Sequence, residues 1–302
     1  MNKRALGYLS WLALRKRQHK SRILDALLMD LQALGPDHIA ITGDLTQIGT
    51  RGEYRQARRW LRELGSPERV TIIPGNHDRY TGSSWYESLR HWLPYLRDEV
   101  HEDRECLYPV VRQRGNVAMI ALSSAAPTLP FLATGRIGRA QLQRLDGLLA
   151  DLGRRNLIRV LLLHHGPLPG SDSIRRRLVD GGELVSVLRE RGAELILHGH
   201  SHVNSEGVIK GAHADIPVFG VASASMKSSA GNRSSSYNLF RISRDRTGVV
   251  IGHTCRCYDE LTGQFTSNAS RLIPYPHLRG NGAVAAPEAG ARQYSSPRSQ
   301  AR

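Results

Sequence analysis

Apolar residues recur at helical spacing near the start of the chain. Leu24, Leu27, Leu28, Leu31 and Leu34 mark one helix face, and Gly35-Pro36 ends the helix. "HIAIT" then reads as a short buried strand running into Gly43-Asp44. "EYRQARRWLRELG" is a second amphipathic helix, stopped at Gly65, and "RVTIIPGNHD" a second buried strand that enters a polar loop. Residues 84–97 read as helix. "YPVVRQRG" and "NVAMIALS" read as paired strands turning at Arg114-Gly115. "GRAQLQRLDGLLADLG" is a helix and "IRVLLLHHG" a buried strand. Residues 174–191 read mostly as helix, with Gly181-Gly182 a weak point, and "AELILHGHSH" returns to strand. The remainder is β-rich: "GVIKG", "IPVFGVAS", "YNLFRIS" and "GVVIGHTCRCYD". Alternating helices and buried strands, followed by a run of strands, predict a layered α/β or α+β domain with buried sheets.

Composition narrows this picture. A 302-residue chain with 40% hydrophobic residues can bury a sizeable core. No run of 18 apolar residues exists, so no membrane-spanning helix is expected. The start, "MNKRALGYLSWLALRKRQHK", imitates a secretory signal, but basic residues follow the apolar run and no small-residue cleavage site does. Three cysteines, Cys106, Cys255 and Cys257, form no CxxC pair and fit a reducing compartment. Cys255 and Cys257 share one face of a strand and read as small packing residues. The expectation is a cytoplasmic protein.

The net charge of +15 is unevenly placed. Residues 1–24 hold seven Lys/Arg and no acid, and residues 271–302 hold five Arg and one Glu. The flanks thus carry +11, leaving about +4 for the body, too little to predict a specific nucleic-acid partner. From Pro274 the chain is rich in Gly, Ala, Pro, Ser and Arg without periodicity. The expected organisation is one domain over 1–273 and a disordered basic tail over 274–302.

Four polar clusters close four of the predicted buried strands. They are Gly43-Asp44, Gly75-Asn76-His77-Asp78, His164-His165-Gly166 and His198-Gly199-His200-Ser201-His202. Sites in α/β sheets collect at strand C-termini. The tetrapeptide GNHD is expected by chance in such a chain only about 0.002 times, at ~1 in 20 per residue. Asp, Asn and His supply oxygen and nitrogen donors, which suit Mn, Fe, Zn or Ni better than Ca. The lack of cysteine donors argues against a structural zinc.

In these residues the chain resembles the calcineurin-like metallophosphoesterases, whose pattern is D-x-H, G-D, G-N-H-D/E, a strand-ending His and G-H-x-H. The last four motifs are matched in order over roughly residues 20–260. The "HHGP" and "GHSH" forms, with "VASASMKSS…SYNLFRI", look most like the cyclic-nucleotide phosphodiesterase branch. The resemblance implies a four-layered α/β/β/α sandwich and a hydrolase that cleaves a phosphodiester or phosphomonoester at two divalent ions. It implies that Asp44 bridges the ions, that Asn76, His164 and His200 complete one site, and that His202 belongs to the other. His77 would contact the phosphate as general acid or charge stabiliser, and Asp78 would hold His77 in orientation. His165 and His198 are left open between a direct role and packing beside the site.

The first motif departs from the pattern. No D-x-H precedes Asp44, because the first acid is Asp25, followed by Ala26-Leu27. One metal site is therefore expected to be complete and the other to keep Asp44 and His202. The sandwich is expected to lack its first strand, as in an N-terminally shortened form. The competing readings are a degenerate member that binds a metal or phosphorylated ligand without turnover, a nuclease, and a pyrophosphohydrolase of nucleotides or lipids. The substrate is expected to be a small phosphoester; the oligomeric state is not readable. The tail reading has a direct check. Deleting residues 278–302 should leave the melting temperature nearly unchanged, and a drop of more than a few degrees would show that the tail packs on the body.

Overall fold

A computed structural model describes residues 21–80, 90–96, 108–226, 234–246, 248–268 and 270–273. The N-terminal segment, Cys106, residues 84–89 of the expected helix and the expected tail from 274 lie outside the described residues.

The central layer is a six-stranded sheet. Its strands are β3 (Val110–Arg114), β4 (Val117–Ala121), β5 (Ile158–Leu163), β6 (Leu195–His198), β7 (Ser205–Ile209) and β8 (Ile216–Gly220), in spatial order β3-β4-β5-β6-β8-β7. The β4-β5-β6-β8 core is parallel, and antiparallel β3 and β7 close the two edges. Parallel strands are apolar on both faces, and β5 shows how the period of two divides them. Leu161 and Leu163 pack towards α4 (Arg139–Arg154) and α5 (Gly181–Arg191), with Leu145, Leu149, Leu184 and Leu188. Val160 and Leu162 face the opposite way, onto Val249, Ile251, Phe240 and Ile242 of a second sheet.

That second sheet is in two parts. β9 (Ser236–Asp245), β10 (Gly248–Asp259), β11 (Gln264–Ser267) and β12 (Arg271–Ile273) are antiparallel, with β10 pairing all three others. The other part is the parallel pair β1 (Ile39–Ile41) and β2 (Val70–Ile72). The outer layer holds α1 (Ser21–Leu34), whose Ile23 and Leu27 pack on Tyr258 and Phe265. It also holds α2 (Arg51–Leu64), whose Tyr54, Ala57 and Leu61 pack on Val70 and Ile72. Thr50 and Glu53 form a reciprocal capping box at the start of α2. The order helix, sheet, sheet, helix is the expected α/β/β/α sandwich.

Between β1 and β9 the second sheet is interrupted. Among the described residues β1 pairs with β2 alone and β9 with β10 alone. A cavity of about 1890 Å³ lies there, lined by Ile39, Ile41, Leu162, Leu197, Phe240 and Ile242, and it opens towards Asp44 and the histidines.

Two elements differ from expectation. Only α5 from Gly181 is helical, because residues 175–179 spend their backbone on the neighbouring loop. Ala133 N–H donates to Arg175 O, Gly135 N–H to Arg177 O and Val179 N–H to Gly135 O. Of the expected helix 84–97, the described part is a 3₁₀ turn, Arg90–Trp92, followed by the one-turn α3 (Leu93–Leu96). Cys255 and Cys257 are half-buried rather than buried, and their Sγ atoms lie 3.7 Å apart on one face of β10.

Candidate metal centre

All four clusters meet at the C-terminal ends of β1, β2, β5 and β6. The loops after β1 and β2 must first come very close. A Cβ on Gly75 would lie 2.1 Å from Asp44 Oδ1, and one on Gly43 would lie 2.6 Å from Gly75 N. Only hydrogen fits at either position, and Gly43 also takes a φ of 98°. The Asp78 carboxylate stitches the two loops together. Oδ2 accepts from the backbone N–H groups of Asp44 (2.8 Å) and Gly75 (2.9 Å), and Oδ1 from Thr46 N–H (2.9 Å) and Thr46 Oγ1 (3.0 Å). His77 N–H returns a bond to Asp44 Oδ1 at 2.9 Å. Burial, then the charge of Asp44, pushes the Asp78 carboxyl up to about 6.

Asp78 is expected to hold His77 in orientation. Its oxygens are committed to loop backbone and to Thr46, whereas the His77 ring is oriented by the Gln47 carbonyl, which accepts from Nδ1 at 2.6 Å. The ring also stacks on Tyr80, with centroids 5.7 Å apart.

The donors converge at His164. Its Nδ1–H donates to Thr42 O at 2.6 Å, which fixes the tautomer and turns Nε2 inward. Nε2 lies 3.3 Å from Asp44 Oδ2 and 3.1 Å from Asn76 Oδ1. Burial alone would raise the Asp44 carboxyl. The charges of His164 and His77 outweigh it and hold the group well below its ordinary value. Burial alone would likewise lower His164, but the Asp44 carboxylate raises it. The His200 ring packs 5.1 Å from His164 by centroids, and its buried Nε2 has no hydrogen-bond partner among the described residues. Burial, with His165 and His164 beside it, drives His200 down and keeps it neutral. A neutral imidazole with a ring nitrogen not committed to any hydrogen bond is the donor that a borderline cation requires.

His165 also belongs to this cluster, since His164, His165 and His200 can place one nitrogen each within 4.8 Å of one another. Its hydrogen bonds give it a different task. Nε2–H donates to Ala133 O at 3.1 Å, so Nδ1 accepts from Ser124 Oγ–H at 2.8 Å, and no lone pair is left over. His165 is a wall that positions His200, 4.3 Å away by ring centroids. His198 ends β6 as expected. It is buried beneath Gly166 and Gly220, with Nδ1 on Gly199 O at 3.1 Å. His202 lies near Asp44 and His77 but outside the tight cluster, and burial lowers it to about 4. Asp44, His200 and His202 all hold left-handed backbone, with φ of 63°, 67° and 55°. Such strain in non-glycine residues gathers at functional sites. Sequence reading missed Arg176, whose Nη2 donates to His200 O at 2.8 Å.

Fold and site together define a four-layered α/β protein with a mixed nitrogen and oxygen donor cluster at its strand ends. Residues 18–204 match the family model of the calcineurin-like phosphoesterases. That is more than half of the chain, and the chain belongs to this family. It is 30% identical over 183 residues to a probable cyclic nucleotide phosphodiesterase of Synechococcus, covering 59% of this chain and 62% of the relative. A glycerophosphodiester phosphodiesterase of Enterobacter lignolyticus is 28% identical over 177 residues, 55% of this chain and 56% of the relative. A cAMP/cGMP dual specificity phosphodiesterase of Mycobacterium tuberculosis is 31% identical over 206 residues, 65% of this chain and 56% of the relative. The chain therefore spans about three-fifths of the length of the curated relatives it matches. A dimetal phosphatase from Danio rerio shares the fold, with a TM-score of 0.53 at 13% identity over 83% of this chain and 89% of that one.

The loop contact has a sharp test. Gly75→Ala should cost about 1–3 kcal/mol, as overpacking does, and should weaken metal binding, because the new methyl displaces Asp44. Gly147→Ala, on a helix position with nothing within 4 Å, should be neutral or stabilising. Equal melting temperatures and metal affinities for the two variants would contradict the close approach.

Proposed function

We propose that this protein is a metal-dependent phosphoesterase that hydrolyses a phosphodiester in the cytoplasm, within a unit spanning residues 1–273. The observation that carries the reading is the orphaned Nε2 of His200, beside the meeting of Asp44, Asn76 and His164. One divalent ion fits these residues: Asp44 Oδ2, Asn76 Oδ1, His164 Nε2 and His200 Nε2 are chemically suited to Mn, Fe, Zn or Ni. A second ion would draw on Asp44 and His202, two donors among the described residues. When bound, such ions lower the pKa of water and neutralise phosphoryl charge.

The chain's own residues supply the rest. Thr42 O holds His164 in the tautomer that presents Nε2 to the cation. The neutral Asn76 amide adds an oxygen without adding charge. Asp78 keeps the Asp44 and His77 loops in register. His77, held through Nδ1 by Gln47, presents Nε2 to a phosphoryl oxygen as charge stabiliser or as proton donor to the leaving group. The relatives named for cyclic nucleotides and for glycerophosphodiesters support a small diester over a monoester. The second reading is a member that binds one ion or a phosphorylated ligand without turnover, which the two-donor count at the second position favours.

Metal content separates the roles. His200→Ala should abolish stoichiometric Mn binding measured by calorimetry, and unchanged stoichiometry and affinity would remove His200 from the site. With a generic aryl phosphodiester and Mn, His77→Ala should lower kcat by about 10²-fold while metal content stays constant. Loss of metal in that variant would make His77 a ligand instead. Full metal binding with no turnover by the parent chain would select the second reading.

A further inference from the structure

Two neighbouring loops carry large apolar side chains that are exposed among the described residues. Leu129 is 72% exposed, Phe131 85% and Ile174 73%. Isolated exposed apolar residues are ordinary, but these three sit on segments tied edge to edge. Ala133 N–H donates to Arg175 O at 2.9 Å and Gly135 N–H to Arg177 O at 3.1 Å. The tip Leu129-Pro130-Phe131 is itself closed by Leu132 N–H donating to Leu129 O and Thr128 Oγ1 to Leu132 O. Basic side chains accompany them. Residues 127–136 and 171–179 contain Arg136, Arg175, Arg176 and Arg177 against the single acid Asp172, a net +3. All four arginines are exposed. No side-chain hydrogen bond or ion pair engages Arg175 or Arg177 among the described residues.

We infer that this face docks on an anionic lipid bilayer. Side chains so exposed project from the loops rather than lining a groove, and projecting apolar groups suit a fluid interface. The arginines on these segments complement anionic headgroups. Apolar insertion and basic attraction are the two contributions that, combined, hold a protein at such a surface. The same loops touch the candidate centre on their inner side. Ala133 O accepts from His165 Nε2, and Arg176 Nη2 donates to His200 O. Docking therefore brings the centre close to the headgroup layer. The inference concerns surface binding and stands apart from the catalytic reading.

Co-sedimentation of the full chain with vesicles tests it. Vesicles of phosphatidylcholine with 30% phosphatidylglycerol should bind the protein, and phosphatidylcholine alone should bind it at least tenfold more weakly. The double variant Phe131→Ser/Ile174→Ser keeps the net charge and removes no core contact. It should lower partitioning at least tenfold with an unchanged melting temperature. Arg175→Ala/Arg177→Ala should lower it roughly fivefold per arginine. The basic flanks supply the rival explanation. Binding that ignores both double variants but falls on removal of residues 274–302 would overturn the inference. So would failure of the parent chain to bind anionic vesicles, or a dimer in solution that Phe131→Ser/Ile174→Ser dissolves without changing vesicle binding.

Discussion

One carboxylate sets the geometry on which the site depends. Asp78 accepts four hydrogen bonds from the two loops that follow β1 and β2, three from the first loop (Asp44 N–H, Thr46 N–H and Thr46 Oγ1) and one from the second (Gly75 N–H). Among the described residues these loops come from a two-stranded pair that shares no ladder with either larger sheet. Together with the His77 N–H bond to Asp44 Oδ1, this stitch sets where Asp44 and Asn76 lie relative to each other and to His164. A buried carboxylate is costly unless its oxygens are satisfied. Here each oxygen takes two donors, so desolvating it is offset by the same bonds that join the loops. Gly43 and Gly75 complete the arrangement by leaving room for the approach.

Much of this was legible beforehand, for identifiable reasons. Strands β4, β5, β6 and β8 are apolar on both faces, and so their runs stand out without a partner sequence. The donor clusters stand out because Asp, Asn and His end such runs. What escaped reading was work done by backbone. Thr42 and Gln47 act through carbonyls, which every residue possesses, so no residue type announces them. Residues 174–180 carry a helical apolar pattern, yet their N–H and C=O groups pair with a loop forty residues away. Asp78 reads as a partner of its sequence neighbour His77, yet three of its four donors come from Asp44 and Thr46, more than thirty residues distant. His165 could be settled only by seeing both ring nitrogens engaged.

The second sheet shows the same limit from another side. Periodicity marks β1 and β9 as strands but says nothing of which edges meet. In the structure they flank a large apolar cavity whose walls belong to both sheets. The core between the sheets is therefore continuous from Val249 to Ile73 but thin beneath β1. The site sits beside this cavity, where hydrogen bonds between loops hold it together.

The left-handed backbone at Asp44, His200 and His202 restricts which sequences can drift away from this site. Glycine, asparagine and aspartate adopt such a conformation readily, and valine or isoleucine do so only under strain. The paths open to neutral change at these three positions thus run mainly through residues that still bear a donor, or through glycine. A lineage that abandoned the chemistry would be expected to keep oxygen or nitrogen side chains there long afterwards, as a relic of chain geometry. Polar identity at these positions is then a record of backbone shape as well as of selection for a ligand.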